Sequence, residues 1–322
     1  MYIFLFLSTL ITGALLTLFL RKVSISRNIL IGKSGISLAG GISIAFTFLI
    51  FYCLASLVLG FKVNIKIIVP SFVMLIFGVL DDWRELSVLT KFAVQIIATL
   101  ILVLLGVKTR IVYVSEPVNL LITFFWVIGI TNAFNHLDIL DGLAGGLAVM
   151  ICAAFSIVSF FGKGFDFSFL LLAFATLGFL IYNYHPAKIY MGNSGSHFFG
   201  FFLAASALSI NYASLDRPVA LLSPILILGF PIFDTVFLSL MRIKNSRSIF
   251  KKSDDHLAIR FIKIGYSKEK TLFIMLLLCA LFSFCGILLK LVSNLIGMVI
   301  VFCVLAITYC VSWKMSKVRI DG

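Results

Sequence analysis

This 322-residue sequence contains four polar residues at intervals of three: Asn132, Asn135, Asp138 and Asp141. In a helix they would lie roughly along one side, and in an unwound segment they would form a polar loop. Carboxylate and amide oxygens are suitable ligands for Mg²⁺, and such groups are also expected around a nucleotide base or ribose. A capping turn before the next helix would explain Asp141 and Gly142, but it does not explain the whole array.

A pair of adjacent carboxylates, Asp81 and Asp82, ends a very apolar segment. Mutual repulsion and the negative end of the helix dipole both disfavour two carboxylates at a helix C-terminus. A divalent cation, or a cationic partner such as Arg84 or Lys91, would relieve this. The alternative is an ordinary solvated helix end.

The segment Gly192-Asn193-Ser194-Gly195-Ser196 precedes a predicted helix. Free backbone N–H groups at a positive helix end form a good anion site, although Gly and Ser are also common loop residues. Earlier in the chain, Lys33 precedes the glycine pair Gly40-Gly41. This arrangement is compatible with an ordinary loop followed by close helix packing.

Basic residues are concentrated at 242–270, which we predict to be a cytoplasmic loop. His256 and Arg260 are one helical turn apart and together could hold a phosphate. Contacts of the early basic residues with lipid phosphates are an equally good interpretation. Asp234 lies inside a predicted apolar helix, where a carboxylate is costly and is by default a functional candidate.

The composition predicts an all-α polytopic membrane protein, since mean hydropathy is +1.16 and only 12% of residues are charged. A water-facing surface needs about 25–35% charged residues. We predict one membrane domain, residues 1–322, with 10–11 spanning helices. The eleven segments are 2–20, 39–60, 65–80, 90–106, 117–133, 143–162, 167–183, 197–213, 218–242, 271–290 and 293–312.

The first segment has no basic start and no small-residue cleavage site, so it is predicted to be a spanning helix rather than a signal peptide. The six cysteines lie in apolar segments without a Cys-x-x-Cys pair, which argues against a disulfide framework or a zinc site. The net charge of +13 is better explained by membrane lipid than by nucleic acid.

The charges predict an N-terminus outside and a cytoplasmic C-terminus. With this orientation, 19 of the 26 lysines and arginines lie on the inner side. Ten of the thirteen carboxylates and all four histidines lie there too, although the positive-inside rule does not require it. We therefore expect an active site on the cytoplasmic face of the membrane.

These features favour phosphoryl transfer between a soluble, anionic, nucleotide-linked donor and a lipid acceptor. This chemistry depends mainly on positioning and on charge neutralisation by Mg²⁺, Lys, Arg and His. A transporter of a lipid-linked or anionic solute is an alternative. It would require polar groups near the bilayer midplane and on both faces, whereas the outer loops here are short and poor in acids.

The ordered motifs resemble the polyprenyl-phosphate N-acetylhexosamine-1-phosphate transferases, a superfamily of WecA-like and MraY-like enzymes. The resemblance runs from about Lys33 to Tyr266. Its motifs are Lys33 before Gly40-Gly41, Asp81-Asp82 before Lys91-x-x-x-Gln95, the array Asn132 to Gly142-Leu143, Pro186-Ala-Lys188-x-x-Met191-Gly192, Pro231-Ile-Phe-Asp234-Thr235 and His256.

The resemblance implies transfer of a sugar 1-phosphate from a UDP-N-acetylhexosamine to undecaprenyl phosphate, with release of UMP. It implies Mg²⁺, or Mn²⁺ in its place, and leaves a homodimer open. By this resemblance the catalytic residues are Asp81, Asp82, Asp138 and Asp141. The expected substrate-binding residues are Lys33, Lys91, Asn132, Asn135, Lys188, His256 and Arg260, and the expected metal-binding residues are Asp82, Asp138 and Asn193.

Three motifs depart from the family pattern. Asn193 stands where the family has a metal-binding Asp, so a negative charge is lost. Ala258 and Ile259 replace the last two histidines of His-x-His-His, and Ile139 replaces the first glycine of Asp-Gly-x-Asp-Gly. The histidine loss favours a WecA-like sugar over an MraY-like peptidoglycan substrate. A non-catalytic homologue acting as a scaffold is a further alternative.

Overall fold

The computed structural model describes residues 1–162, 164–248 and 255–318. This part of the chain is helical, without strands apart from isolated bridges, and it divides into two compact units, Met1–Ile210 and Asn211–Gly322. Lys163, Lys251, Lys252, Asp254, Arg319 and Asp321, which entered the charge analysis, lie outside the described residues.

The first unit contains eight helices, whose apolar runs are interrupted by short polar connections. Their bounds are α1 Tyr2–Arg27, α2 Gly40–Leu59, α3 Ile65–Trp83, α4 Val88–Leu104, α5 Glu116–Leu137, α6 Leu143–Phe160, α7 Phe167–Asn183 and α8 Gly192–Ala207. Side chains cap two of the helix starts. Ser87 Oγ accepts the Thr90 N–H, and Asp166 Oδ1 accepts the Ser168 N–H. Each side chain thus pairs a backbone N–H that has no carbonyl partner within the helix.

Helix α8 lies at the centre of this unit and packs against α3, α5 and α2. Nearly all of its residues are buried. Glycines allow the closest approaches, since a Cβ on Gly41 would overlap the backbone of Gly195 and one on Gly78 would overlap Ser194. Small residues at helix contacts are the usual way for membrane helices to gain packing energy.

A cluster of phenylalanines extends this core. Phe48 of α2 lies with its ring centroid 5.2 Å from that of Phe202 and 6.2 Å from that of Phe198, both on α8. These rings are fully buried, and edge-to-face contacts of this kind add to the packing. The middle of α8 is therefore packed against α2 through buried aromatic side chains.

The connection before α2 pairs with the connection before α8. Tyr190 donates its backbone N–H to Ser37 O at 2.8 Å, and Gly41 donates to Met191 O at 2.8 Å. These bonds bring the loop that carries Lys33, which is exposed, alongside the start of α8.

The second unit contains α9 Ser223–Ile227, α10 Gly229–Lys244, α11 Leu257–Lys263, α12 Lys268–Leu291 and α13 Asn294–Ser316, with a 3₁₀ turn at Pro218–Leu222 before α9. The single helix predicted at 218–242 is thus divided, and the two parts are bent by 70°. Pro231 has no N–H to donate to the Ile227 carbonyl. Ser283 Oγ donates to that carbonyl instead, at 3.3 Å.

Six helices in the described residues are long and apolar enough to cross a membrane, or up to seven if the bent pair counts as one span. They are α1, α2, α5, α6, α12 and α13. Helices α4 and α7 are shorter apolar helices. The chain is therefore a multi-pass membrane protein, while the total of about eleven spans and the orientation of the termini remain predictions.

Candidate active site

Asp82 lies in the last turn of α3 and faces the N-terminus of α8. Its Oδ1 accepts the Asn193 N–H at 2.8 Å, and its Oδ2 accepts the Ser194 N–H at 2.9 Å. The sequence predicted an anion site at this helix start, and the structure places a carboxylate of the protein there. The two N–H groups at this positive helix end therefore favour the ionised form of Asp82, against the larger cost of burying its charge.

Gly192 makes this approach sterically feasible. Its φ is +72°, and a Cβ there would lie 2.6 Å from Asp82 Oδ2. Both the backbone conformation and the space exclude a side chain at this position. Glycine at position 192 is thus required by the contact between α3 and α8.

Asp138 is the first residue after α5 and lies beside the same helix start. It accepts a hydrogen bond from the Gly192 backbone and interacts electrostatically with Asp82 and Asp141. Burial, reinforced by these two negative charges, raises the pKa of Asp138 to about 7. A bound cation would have the opposite effect and would favour the ionised carboxylate.

The two asparagines of the array lie inside α5, which continues to Leu137, beyond the predicted end at residue 133. Asn132 and Gln95 of α4 form a reciprocal amide pair, with N···O distances of 2.8 and 3.2 Å. Asn135 Nδ2 donates to Asn193 Oδ1 at 2.9 Å and to Ser196 Oγ at 3.0 Å. The array is therefore helical in its first half and a loop in its second.

Asp141 connects two loops. Its Oδ2 lies 2.8 Å from His185 Nδ1 and accepts the Ala187 N–H at 3.0 Å. Next to it, the Gly142 N–H donates to Asn183 Oδ1 at 3.0 Å. Lys188 lies on the same loop, and its carbonyl accepts a hydrogen bond from Arg21.

Asp81 and Lys91 form an ion pair, with Nζ 2.5 Å from Oδ2. The Asp81 side chain is fully buried, and its Oδ1 also accepts the Leu86 N–H at 2.8 Å. The sequence suggested Lys91 as a possible partner for the Asp81–Asp82 pair, and the structure shows that Asp81 is the one it pairs with. The two adjacent carboxylates thus have different partners.

Lys91→Met is expected to lower the free energy of unfolding by about 3 kcal/mol, because it leaves the Asp81 charge buried without a partner. Adding Asp81→Asn should restore most of that loss. Chemical unfolding in detergent micelles measures both. Lys108→Met is the matched control, since Lys108 pairs with the exposed Glu116 and should cost only about 0.5 kcal/mol. Equal stability of Lys91→Met and Lys108→Met would contradict the expected role of this pair.

The oxygen atoms at the start of α8 are of the chemical kind that Mg²⁺ prefers. Among the described residues, no group of three or more His, Cys, Asp and Glu side chains is placed to hold a metal, so any ion here depends on fewer carboxylates. Asp82 and Asp138 would supply two carboxylates, and Asn193 would supply an amide oxygen. Mg²⁺ in enzymes commonly takes one or two carboxylates and completes its shell with water and substrate phosphate.

The second unit holds the remaining candidates, His256 and Arg260. His256 is the residue before α11, and its Nδ1 lies 3.7 Å from Asp234 Oδ2. Arg260 is buried and donates to Asp255 Oδ1 at 3.1 Å and to the Met315 carbonyl at 3.1 Å. A phosphate-binding role of Arg260 would require these bonds to be exchanged, so that role remains a prediction.

Three residues of the site were not among the predicted site residues: Gln95, His185 and Ser196. Gln95 could have been identified from the sequence, since a polar amide in an apolar helix needs a hydrogen-bond partner. Ser196 belonged to the predicted anion-binding segment, but its partner Asn135, 61 residues away, could not be foreseen. His185 had no signal, because its partner Asp141 is 44 residues away in the sequence.

Residues 64–211 match the family model described as glycosyl transferase family 4. The chain is 35% identical over 246 residues to a probable undecaprenyl-phosphate N-acetylglucosaminyl 1-phosphate transferase of Bacillus subtilis. That alignment covers 73% of this chain and 68% of the relative.

Two other bacterial relatives extend the comparison. A decaprenyl-phosphate N-acetylglucosaminephosphotransferase of Mycobacterium tuberculosis is 33% identical, over 68% of this chain and 61% of the relative. An undecaprenyl-phosphate alpha-N-acetylglucosaminyl 1-phosphate transferase of Thermotoga maritima is 30% identical, over 84% of this chain and 83% of the relative. With the motif order and the carboxylate cluster at α8, these likenesses identify the chain as a member of glycosyl transferase family 4, within the polyprenyl-phosphate N-acetylhexosamine-1-phosphate transferases.

Proposed function

We propose that this protein transfers N-acetylglucosamine 1-phosphate from UDP-N-acetylglucosamine to undecaprenyl or another polyprenyl phosphate and releases UMP. The names of the three relatives support the acceptor and the sugar. We propose further that this is the first membrane step of a cell-envelope polysaccharide. In this reaction an oxygen of the acceptor phosphate attacks the β-phosphorus of the donor, and the bond between that phosphorus and the bridging oxygen of UMP breaks.

The observation that carries the proposal is the convergence of Asp82, Asp138 and Asn193 at the N-terminus of α8. Phosphoryl transfer needs fixed charges more than covalent participation by the protein. A rigid helix start that orients carboxylates can supply such fixed positions. Mg²⁺, when bound by these oxygens, would neutralise the charge that develops on the diphosphate.

We propose distinct roles for the other residues. Asn132 and Asn135 would orient the nucleotide through their amide oxygens, together with Asp141, since their NH₂ groups already donate within the protein. Lys33, Lys188 and His256 would contact phosphates, as the family resemblance implies. Lys91 would act mainly by holding Asp81, since its ammonium group already lies against that carboxylate.

The direct test is UMP release by the purified full-length protein in detergent, with undecaprenyl phosphate and a panel of UDP-sugars. UMP should form with UDP-N-acetylglucosamine and Mg²⁺, and it should not form when EDTA is present or the lipid is omitted. UMP formation that is independent of the lipid, or none with any UDP-sugar, would contradict the proposal.

Asn193→Asp distinguishes an active enzyme from a non-catalytic scaffold. Restoring a carboxylate should lower the Mg²⁺ concentration for half-maximal activity by about tenfold, because ligand charge sets the affinity of such sites. Binding of Mn²⁺, followed by electron paramagnetic resonance, should tighten in parallel. Asn211→Asp, at an exposed residue, controls for added charge. A wild type that is inactive and becomes active only with Asn193→Asp would favour the scaffold.

We also propose that the site faces the cytoplasm. The support is the excess of basic residues in the loops that would share its side of the membrane. Reporter fusions after Arg84 and after Lys62 test this topology. A reporter specific for the cytoplasm should be active after Arg84 and inactive after Lys62, and the reverse pattern would exclude the assigned orientation.

A further inference from the structure

The carboxylate of Asp141 is held through only one of its two oxygens. Oδ2 receives both the His185 contact, at 2.8 Å, and the Ala187 N–H, at 3.0 Å. The described residues provide no hydrogen-bond donor to Oδ1. The Asp141 side chain keeps 20% of its surface exposed, so the carboxylate is accessible to a ligand while its orientation is set.

Hydrogen bonds of the Asn183 side chain hold the backbone on both sides of this contact. Asn183 accepts the Gly142 N–H at 3.0 Å through its Oδ1 and donates to the Ile189 carbonyl at 2.8 Å through its Nδ2. The loop after α5 and the loop before α8 are therefore joined without His185. The His185 side chain adds to these backbone contacts a direct contact with the Asp141 carboxylate.

The contact is also well suited to orient a carboxylate. A histidine N–H bonded to an aspartate is a charge-assisted or strongly polar hydrogen bond, which is stronger and more directional than a neutral one. Combined with the Ala187 N–H, it gives Oδ2 two donors from different directions, so rotation about the side chain is restricted. Oδ1 is then left as an acceptor whose position is set before any ligand arrives.

We propose that His185 is a positioning residue that acts through Asp141, so that Asp141 Oδ1 accepts a hydroxyl or N–H of the nucleotide part of the donor. This inference rests on the proposed function, and it concerns the UDP-sugar rather than the lipid. It therefore predicts a defect that affects one substrate and spares the other.

The test compares His185→Ala with His185→Asn in the full-length protein. Asparagine places its Nδ2 donor close to the position of the imidazole Nδ1. His185→Ala should raise the KM and the equilibrium Kd for UDP-N-acetylglucosamine by about tenfold, the cost of losing a hydrogen bond to a charged group. The KM for undecaprenyl phosphate should change by less than about twofold, and His185→Asn should recover most of the loss.

A double-mutant cycle completes the test. In an Asp141→Asn background, His185→Ala should add less than about a twofold effect, because residues that act through one another are not additive. Tyr184→Ala, at the exposed neighbouring side chain, should leave both KM values unchanged. If His185→Ala fails to accumulate, His185→Gln replaces it, since its amide lies at the Nε2 position and should not rescue.

Equal effects on both substrates, an additive cycle, or no rescue by asparagine would overturn the positioning role while leaving the proposed function intact. Failure of the wild type to release UMP from any UDP-sugar would instead refute the proposed function, and this inference with it. The two failures are thus distinguishable in one set of measurements.

Discussion

Asp82→Asn is expected to lower the rate of UMP release by about 10²–10³-fold, the usual effect of removing one electrostatic group from an active site. The substitution removes the negative charge beside Asp138 and from the proposed magnesium site. It also places an NH₂ donor against backbone N–H groups, because both Asp82 oxygens now accept such donors. The measurement is the rate of UMP release per folded molecule, at saturating Mg²⁺.

A loss of stability must be separated from this effect, since Asp82 also caps α8. The thermal unfolding midpoint in detergent therefore accompanies each rate. Glu116→Gln serves as the control, because it removes a carboxylate that is half exposed and paired with Lys108, and it should leave the rate unchanged. If folded Asp82→Asn protein retained a rate within about threefold of wild type, Asp82 would be only a helix cap, and a catalytic role of the kind expected would be excluded.

Gly78→Ala is expected to reduce both stability and activity, although the residue has no functional group. A Cβ at this position would lie 2.5 Å from the carbonyl oxygen of Asn193 and 2.5 Å from the Ser194 Cα. Helices α3 and α8 would have to separate, and such overpacking costs about 1–3 kcal/mol. Because Asp82 binds the backbone of the same two residues, a shift of about 1 Å should also slow the reaction about 10²-fold.

Gly129→Ala is the matched control for this substitution. Gly129 also lies in the middle of a helix, but a Cβ there would meet nothing within 4 Å. Alanine should therefore be neutral or stabilising by up to about 1 kcal/mol. Unfolding midpoints and UMP release of the two variants provide the comparison. Similar behaviour of Gly78→Ala and Gly129→Ala would show that the close contact of α3 with α8 is not essential.

Some helix positions could be predicted from the sequence because they follow directly from apolar runs. The predicted segments at 143–162 and 167–183 agree closely with α6 and α7. The start of α8 could not be found in this way. Its polar residues Asn193 to Ser196 suggested a loop, yet Ser194 and Ser196 are fully buried, because the glycines of α2 and α3 admit this helix start into the interior.

The break at Leu228 was missed for a related reason. Pro231 alone indicates a local loss of one backbone bond, and many membrane helices tolerate this. Here the freed Ile227 carbonyl has a new donor in Ser283, which lies 56 residues further along the chain. Ser283 reaches the Ile227 carbonyl only because α12 packs against α9.

The sequence by itself determined the class of protein, the family and a list of candidate site residues, because hydropathy and motif order are local properties of the chain. Only the tertiary structure decided how those residues are paired. Asp81 and Asp82 are neighbours in sequence, but α4 supplies Lys91 to the first and α8 supplies two backbone N–H groups to the second. The physical reason is that side-chain partners are set by helix packing. The turn between α3 and α4 brings Lys91 to Asp81, and the close approaches at Gly78 and Gly192 bring α8 to Asp82, more than a hundred positions away.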